Sequence, residues 1–317
     1  MTFKCGFVTL IGRPNAGKST LLNQILGGKL AITSHKPQTT RDRIAGVLTN
    51  EEMQLILLDT PGVHDAWTEL NKAMVRRAEE ALAEGDVVAW LLDVSEVPAR
   101  LKKGRELLTE DDKALASLVR AAGRPVIVVL NKLDLVHPEI LLPLMDTLKD
   151  VVTMSAAIPV SALKGDGVPD LLARIQGHLP EGPALYPEDY WTDRTERFLA
   201  SEVIREKIFH LTEQEIPYAS LVQIEKFDES KREPHTDDKG RAHKGIVHIG
   251  AVVVVERQQQ KGIIIGKKGA MIKKIGTLSR KELEGILGCK VHLELFVKVE
   301  ANWSKTPKGL RRVGFGD

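Results

Sequence analysis

Cysteine is nearly absent. Cys5 and Cys289 lie far apart and form no CxxC pair, which excludes a disulfide framework or a cysteine-built zinc site and fits a reducing compartment. Aromatic residues make up only 4% of the 317 residues, which argues against a base-stacking platform as the main ligand surface. The nine histidines show no HExxH spacing. His235, His243 and His248 come nearest to a cluster, and their polar surroundings read as a solvated loop rather than a metal site. No apolar run approaches the roughly 18 residues of a membrane span. The longest, Val87–Leu92 and Pro125–Leu130, have the length of buried strands. The N-terminus reaches Gly12-Arg13-Pro14 too soon to hold a signal peptide. These absences predict a cytoplasmic protein, with peripheral association on the inner face of the cell membrane as the alternative; a monomer is expected. Acidic residues are missing altogether from Arg257 to Lys281, which holds eight basic ones.

What is present is a core-forming composition, 43% apolar and 28% charged, over a length that suggests two domains. The net charge of +2 conceals an asymmetry. Residues 1–192 carry 21 Lys+Arg against 25 Asp+Glu, or −4, and residues 193–317 carry 24 against 18, or +6. The second half suits a polyanion.

Over residues 1–178, apolar strand-like runs alternate with helical patterns. Strands are expected at Cys5–Ile11, Ile44–Leu48, Gln54–Asp59, Val87–Asp93, Val126–Leu130 and Val151–Met154, with helices such as Lys18–Leu26, Glu69–Glu84 and Glu106–Ala121 between them. That order predicts an α/β domain with a mostly parallel sheet covered on both faces. Prolines at 180, 183 and 187 mark residues 179–192 as a linker. Beyond it the pattern is helix (Thr195–Leu211), strand (Tyr218–Phe227), strand (Ile246–Glu256), helical region (Gly269–Leu287) and strand (Val291–Val299). The polar stretch Asp228–Lys244 reads as a long loop, and the basic segment Trp303–Asp317 as a surface tail.

The strongest local signal is Gly12-Arg13-Pro14-Asn15-Ala16-Gly17-Lys18-Ser19, a GxxxxGKS pattern after a strand and before a helix. Backbone N–H groups from Asn15 through Thr20 can face phosphate oxygens at the positive end of that helix. Lys18 would neutralise the β- and γ-phosphates, and the Ser19 hydroxyl would ligate Mg²⁺. Asp59-Thr60-Pro61-Gly62 ends another strand, placing a carboxylate for Mg²⁺ and the Gly62 N–H for the γ-phosphate. Alone, Asp59 could equally cap a helix. Asn131-Lys132-Leu133-Asp134 and Ser161-Ala162-Leu163-Lys164 follow two further strands. The Asp134 carboxylate can accept from guanine N1–H and the 2-amino group, whereas adenine would leave it unpaired. The 161–163 loop can give an N–H to guanine O6. Together these segments select GTP over ATP and disfavour a P-loop ATPase or kinase.

The four segments resemble the G motifs of the translation-factor-related GTPases, over residues 3–178. The resemblance implies a six-stranded sheet with five helices and two nucleotide-sensing switches. Pro37-Gln38-Thr39-Thr40-Arg41-Asp42 falls at the first switch, and its TTRD is similar to the TrmE-Era-EngA type of bacterial GTPases. By that similarity Thr40 is a Mg²⁺ ligand, with Thr39 the alternative. Many relatives place a glutamine after DxxG; here Val63 stands there. A valine cannot orient water, so slow intrinsic turnover is expected, with Lys18, Thr40, Gly62 and Asn15 carrying catalysis. Family members combining an Asn at position 15 with a hydrophobic residue at position 63 often use K⁺ as a fixed charge. Asn15 is accordingly a candidate K⁺ ligand, against a plain reading as a loop cap.

In the basic half, Gly266-Lys267-Lys268-Gly269 is a GxxG loop between helical pieces. Its glycines allow close approach of a nucleic-acid backbone, and Lys261, Lys267, Lys268, Lys273 and Lys274 can meet phosphates. With the surrounding element order this resembles a type II KH domain, an α+β fold, over about residues 195–299. A KH domain after a single TTRD-type G domain resembles the ribosome-assembly members of the bacterial family. It implies single-stranded RNA binding on the 30S-type small ribosomal subunit, near the 3′ end of its ribosomal RNA. The departure is the 228–244 insertion, longer than expected. Two other readings stay in play: an RNA-binding protein whose nucleotide site is structural, and a tRNA-modification or transporter-type GTPase.

Overall fold

The computed structural model describes residues 2–34, 36, 40–62, 69–236 and 242–312. The chain divides into two compact units between Asp193 and Arg194.

The first unit is built on β1 (Lys4–Gly12), α1 (Lys18–Leu26), β2 (Ile44–Thr49), β3 (Met53–Asp59), α2 (Glu69–Glu84), β4 (Val87–Asp93), α3 (Val97–Lys102), α4 (Glu110–Ala121), β5 (Val126–Asn131), α5 (Leu141–Val151), β6 (Ala156–Val160) and α6 (Val168–His178). Its six strands lie in the order β2-β3-β1-β4-β5-β6, all parallel except the β2–β3 pair. Every residue of β3 and β5 is buried, as continuous apolar strands between two helical layers must be. One layer packs Trp90, Leu92, Leu115, Val119, Leu144 and Leu148 together.

Three sequence expectations are corrected. The last strand is Ala156–Val160, because α5 continues through Val151 and the Val152 N–H closes it on the Leu148 carbonyl at 3.0 Å. Pro159 is tolerated because β6 is a sheet edge. The helix expected from Glu106 starts at Glu110, where Thr109 and Asp112 form a reciprocal capping box. Six helices are described instead of five, the extra one being the short α3.

The segment read as a linker is fastened along the sheet. The Cys5 N–H donates to the Pro180 carbonyl (3.1 Å), and Leu185 and Tyr186 N–H groups donate to Gln54 Oε1 (2.7 and 2.9 Å). The Val47 N–H donates to the Trp191 carbonyl at 2.9 Å, and Thr192 Oγ1 donates to the Ala45 carbonyl at 2.8 Å. This strap covers the open edge of β2, a common way of protecting unpaired strand groups.

The second unit comprises α7 (Glu196–Leu211), β7 (Ser220–Lys231), a small ribbon of β8 (His235–Thr236) and β9 (Ala242–His243), β10 (Ile246–Val255), α8 (Gln258–Ile265), α9 (Ala270–Leu287), β11 (Lys290–Val299) and α10 (Pro307–Arg312). The three long strands lie in the order β11-β10-β7, parallel then antiparallel. Ile204, Ile208, Val253, Ile264 and Ile275 pack between helices and sheet. The expected long loop is shorter, since β7 runs on to Lys231 and Arg232 pairs with Glu196 at 2.7 Å. Residues 237–241 of that loop lie outside the described residues. The tail is also not wholly superficial. Trp303 is fully buried and donates its indole N–H to the Ala219 carbonyl at 3.2 Å.

Candidate functional site

The loop after β1 turns through two left-handed residues, Asn15 (φ 64°) and Gly17 (φ 98°), into α1. Gly17 has a second constraint: a Cβ there would lie 2.1 Å from Asn131 Nδ2. Ala16 is buried and Thr20 half-buried on the first turn of α1. Lys18 is buried and its ammonium donates to the Gly12 and Arg13 carbonyls at 2.9 and 3.0 Å. Burial pushes its pKa down to about 8, against the opposing pull of the Asp59 charge. A cation held this way on the loop's own carbonyls is placed to exchange them for phosphate oxygens.

Ser19, Thr40 and Asp59 come from three different segments and converge. Ser19 Oγ donates to Asp59 Oδ2 at 2.7 Å and lies 2.8 Å from Thr40 Oγ1, which is itself 3.1 Å from the same carboxylate oxygen. All three residues are buried. Two hydroxyls and a carboxylate are hard oxygen donors, few in number, which suits Mg²⁺ sharing its shell with phosphate and water. Gly62 packs against the phosphate loop so tightly that a Cβ would lie 2.8 Å from Pro14 backbone atoms. Thr39 and Val63 lie outside the described residues.

The segments that follow β5 and β6 are joined to the phosphate loop by Asn131. Its Nδ2 donates to the Ala16 carbonyl at 2.7 Å, and its Oδ1 accepts from the Ala162 N–H at 3.0 Å. Asp134 Oδ1 accepts from Ser161 Oγ at 2.7 Å. Lys132 is left-handed (φ 69°) and its ammonium pairs with Asp93 at the end of β4. Leu163 is exposed beside these groups. The Asp93 contact escaped sequence reasoning, because nothing in a strand-end aspartate marks a lysine partner in the next strand's loop. Arg77 of α2 was likewise missed. It pairs with Asp42 at 3.2 Å and donates to the Arg41 carbonyl at 3.0 Å.

In the second unit, residues 267–269 form one tight turn between α8 and α9. Gly266 (φ 73°), Lys268 (φ 52°) and Gly269 (φ 78°) all have positive φ, which L side chains rarely adopt. Gly266 is constrained twice, since a Cβ would meet Met271 Cβ at 2.7 Å, whereas at Gly269 it would meet nothing within 4 Å. Lys268 holds a conformation that costs a non-glycine residue roughly 1 kcal/mol or more, and such strain concentrates where chains meet ligands. Lys267, Lys268, Lys273 and Lys274 are exposed, and Lys261 is half-buried. Ile263 on α8 is 49% exposed, and Gly276 of α9 lies against Leu295 of β11, so apolar surface adjoins the lysines. Pattern reading did not single out Gly276 or Leu295.

Comparison with known proteins agrees with both units. A family model described as a 50S ribosome-binding GTPase matches residues 7–132, and a KH domain model matches residues 215–304. GTPase Era of Syntrophus aciditrophicus is 45% identical over 315 residues, covering 99% of this chain and 96% of that one. GTPase Era of Geobacter metallireducens is 44% identical over 313 residues, covering 99% and 98%. Among solved structures, a point variant of Aquifex aeolicus Era bound to GDP·AlF4⁻ superposes with a TM-score of 0.88 at 37% identity, over 99% of this chain and all of that one. Era in complex with MgGDPNP and nucleotides 1506–1542 of 16S ribosomal RNA gives the same score at 38% identity, with the same coverage. A phosphate loop and a GKKG turn in one chain, with this full-length similarity, place it in a family of GTP-hydrolysing enzymes: the chain belongs to the Era GTPases.

Proposed function

We propose that the chain couples GTP hydrolysis to binding of single-stranded ribosomal RNA near the 3′ end of the small subunit, and so assists 30S-type subunit maturation. The observation that carries the nucleotide half is the convergence of Ser19, Thr40 and Asp59 on one point beside Lys18. The RNA half rests on the exposed lysines of the GKKG turn and on full-length similarity to an Era structure that contains 16S ribosomal RNA nucleotides. The 50S-binding description belongs to a model matching residues 7–132, which include none of those lysines.

In the proposed mechanism, Mg²⁺ would be held by Ser19, Thr40 and Asp59 and would neutralise charge on the phosphates. Lys18 holds the β- and γ-phosphates, the N–H groups of Asn15 through Thr20 surround them, and the Gly62 N–H faces the outermost one. Asp134 reads the guanine edge, the Ala162 and Leu163 backbone meets O6, and Lys132 flanks the base. Loss of the γ-phosphate releases Thr40 and Gly62. With Val63 in place of a glutamine, Asn15 would supply a ligand for K⁺, whose fixed positive charge would help neutralise the charge that develops on the phosphates. The protein acts as a cytoplasmic monomer. Its cationic second unit is the surface on which peripheral membrane contact would rest.

The test is turnover of GTP by purified protein in KCl and in NaCl at equal ionic strength, with binding to an RNA of the 16S 3′ terminus measured alongside. Faster hydrolysis in KCl and specific binding are expected. Equal rates remove the K⁺ role, and absence of turnover leaves an RNA-binding protein with a structural nucleotide site.

A further inference from the structure

Three residues, Arg41-Asp42-Arg43, separate Thr40 from the start of β2. All three are held by α2. Arg77 Nη1 donates to the Arg41 carbonyl at 3.0 Å and pairs with Asp42 Oδ1 at 3.2 Å, and Glu84 pairs with Arg43. Positions 77 and 84 are two helical turns apart and share a face. The charges are crossed: the helix offers cation then anion, the segment anion then cation. A one-step slip of the segment would set like charges together, so the pairing fixes its register.

The Arg77–Asp42 pair is half-buried and Glu84 is exposed, and a lone exposed pair contributes little. Here two pairs and a charge-assisted bond to a main-chain oxygen act on three consecutive residues, and Arg41 itself is buried. The residue they hold in place is Thr40, whose hydroxyl sits 2.8 Å from Ser19 Oγ and 3.1 Å from Asp59 Oδ2. The helix providing the clasp begins seven residues beyond Gly62, the end of the DxxG segment. The clasp therefore ties the helix following one nucleotide-sensing segment to the backbone of the other.

We propose that Arg77 is a positioning residue for GTP hydrolysis. With Glu84 it clasps residues 41–43 so that the Thr40 hydroxyl stays at the metal-facing cluster in the triphosphate state. This rests on the GTPase reading of the Ser19–Thr40–Asp59 site. A purely structural Arg77 would affect all nucleotides alike, whereas a clasp on Thr40 affects the state that needs Thr40.

Fluorescent GDP and a non-hydrolysable GTP analogue, titrated into full-length Arg77→Ala at several Mg²⁺ concentrations, separate the two. GDP affinity should stay within about two-fold, while affinity for the analogue falls about five-fold, the scale of one ordinary hydrogen bond. The Mg²⁺ concentration for half-maximal turnover should rise with it. Arg77→Lys should recover part of the loss, and it serves as the comparison if the alanine variant does not fold. Exchanging the second pair, Arg43→Glu with Glu84→Arg, should restore what Glu84→Arg alone removes. Equal losses for both nucleotides, or no loss for either, overturn the clasp. Failure of the unaltered protein to hydrolyse GTP would instead overturn the reading of the site.

Discussion

Asn131, the last residue of β5, holds the Ala16 carbonyl at 2.7 Å with one end of its amide and the Ala162 N–H at 3.0 Å with the other. One side chain thereby sets the spacing between the phosphate loop and the loop after β6, the one proposed to meet guanine O6. Gly17 must be a glycine partly because this amide passes so close to it. Asn131→Ala removes both bonds and leaves two buried partners unsatisfied, at about 1–3 kcal/mol each. Affinity for GDP and GTP should drop together by at least tenfold, as a fluorescent-nucleotide titration will read. Asn131→Asp keeps the acceptor for Ala162 but sets a carboxylate against the Ala16 carbonyl oxygen, so it should rescue little.

Base choice is expected to follow Asp134. Its carboxylate is oriented by Ser161 Oγ at 2.7 Å, leaving the rest of its acceptor capacity for a base. Asp134→Asn should shift preference from guanosine to xanthosine nucleotides in a competition assay. Ser161→Ala should weaken guanine nucleotide binding more mildly, since the carboxylate remains. Unchanged GTP affinity in Asp134→Asn would contradict the base assignment.

The buried ammonium of Lys18 makes nucleotide affinity depend on pH. Its pKa in the nucleotide-free protein is pushed down to about 8 by burial, and a bound triphosphate raises it. The bound form therefore holds the proton more tightly. GTP affinity is fully present below pH 8 and declines above it, until the pKa of the bound form is passed. Calorimetry in buffers of different ionisation heat at pH 8.5 should register proton uptake on binding. Lys18→Ala should abolish both the uptake and most of the affinity. In the nucleotide-free protein the sign for folding is opposite. An ordinary lysine pKa in the unfolded chain means that stability rises with pH between about 8 and 10.5.

For the RNA surface, replacing Lys267 and Lys268 by alanine should weaken binding across sequences without changing GTP affinity. The slope of log affinity against log salt should fall by about 1.4, at about 0.7 per phosphate contact on a single strand. Gly266→Asp should be more damaging than Gly269→Asp. Only the first meets a clash, with Met271, in addition to its left-handed backbone. A filter-binding series over several salt concentrations checks both points.

The sequence was most readable where local chemistry and backbone constraint coincide. Gly17, Lys18 and Ser19 are legible because a phosphate loop needs those residues at that spacing, and α1 runs over the expected Lys18–Leu26. The strap did not show as one. Its prolines rule out a helix, but its role depends on Gln54 and the edge of β2, more than a hundred residues away. Val151–Met154 was misread as a strand because a short apolar run is ambiguous between a strand and the end of a helix. Trp303 reads as part of a basic tail because its neighbours are polar, and the bond from its indole N–H to the Ala219 carbonyl, far away in sequence, leaves no local pattern. Arg77 and Asp93 illustrate the same limit, since a salt bridge between elements leaves no spacing pattern in either one.

The central claim is that the outermost phosphate of the nucleotide governs how the second unit holds RNA. The direct measurement is the dissociation constant of a fluorescent RNA copy of the 16S 3′ terminus. It is taken at fixed salt and Mg²⁺, first with saturating non-hydrolysable GTP analogue and then with GDP. Tighter binding with the analogue is predicted, with the difference lost in Thr40→Ala. Equal affinities in the two nucleotide states would contradict the account.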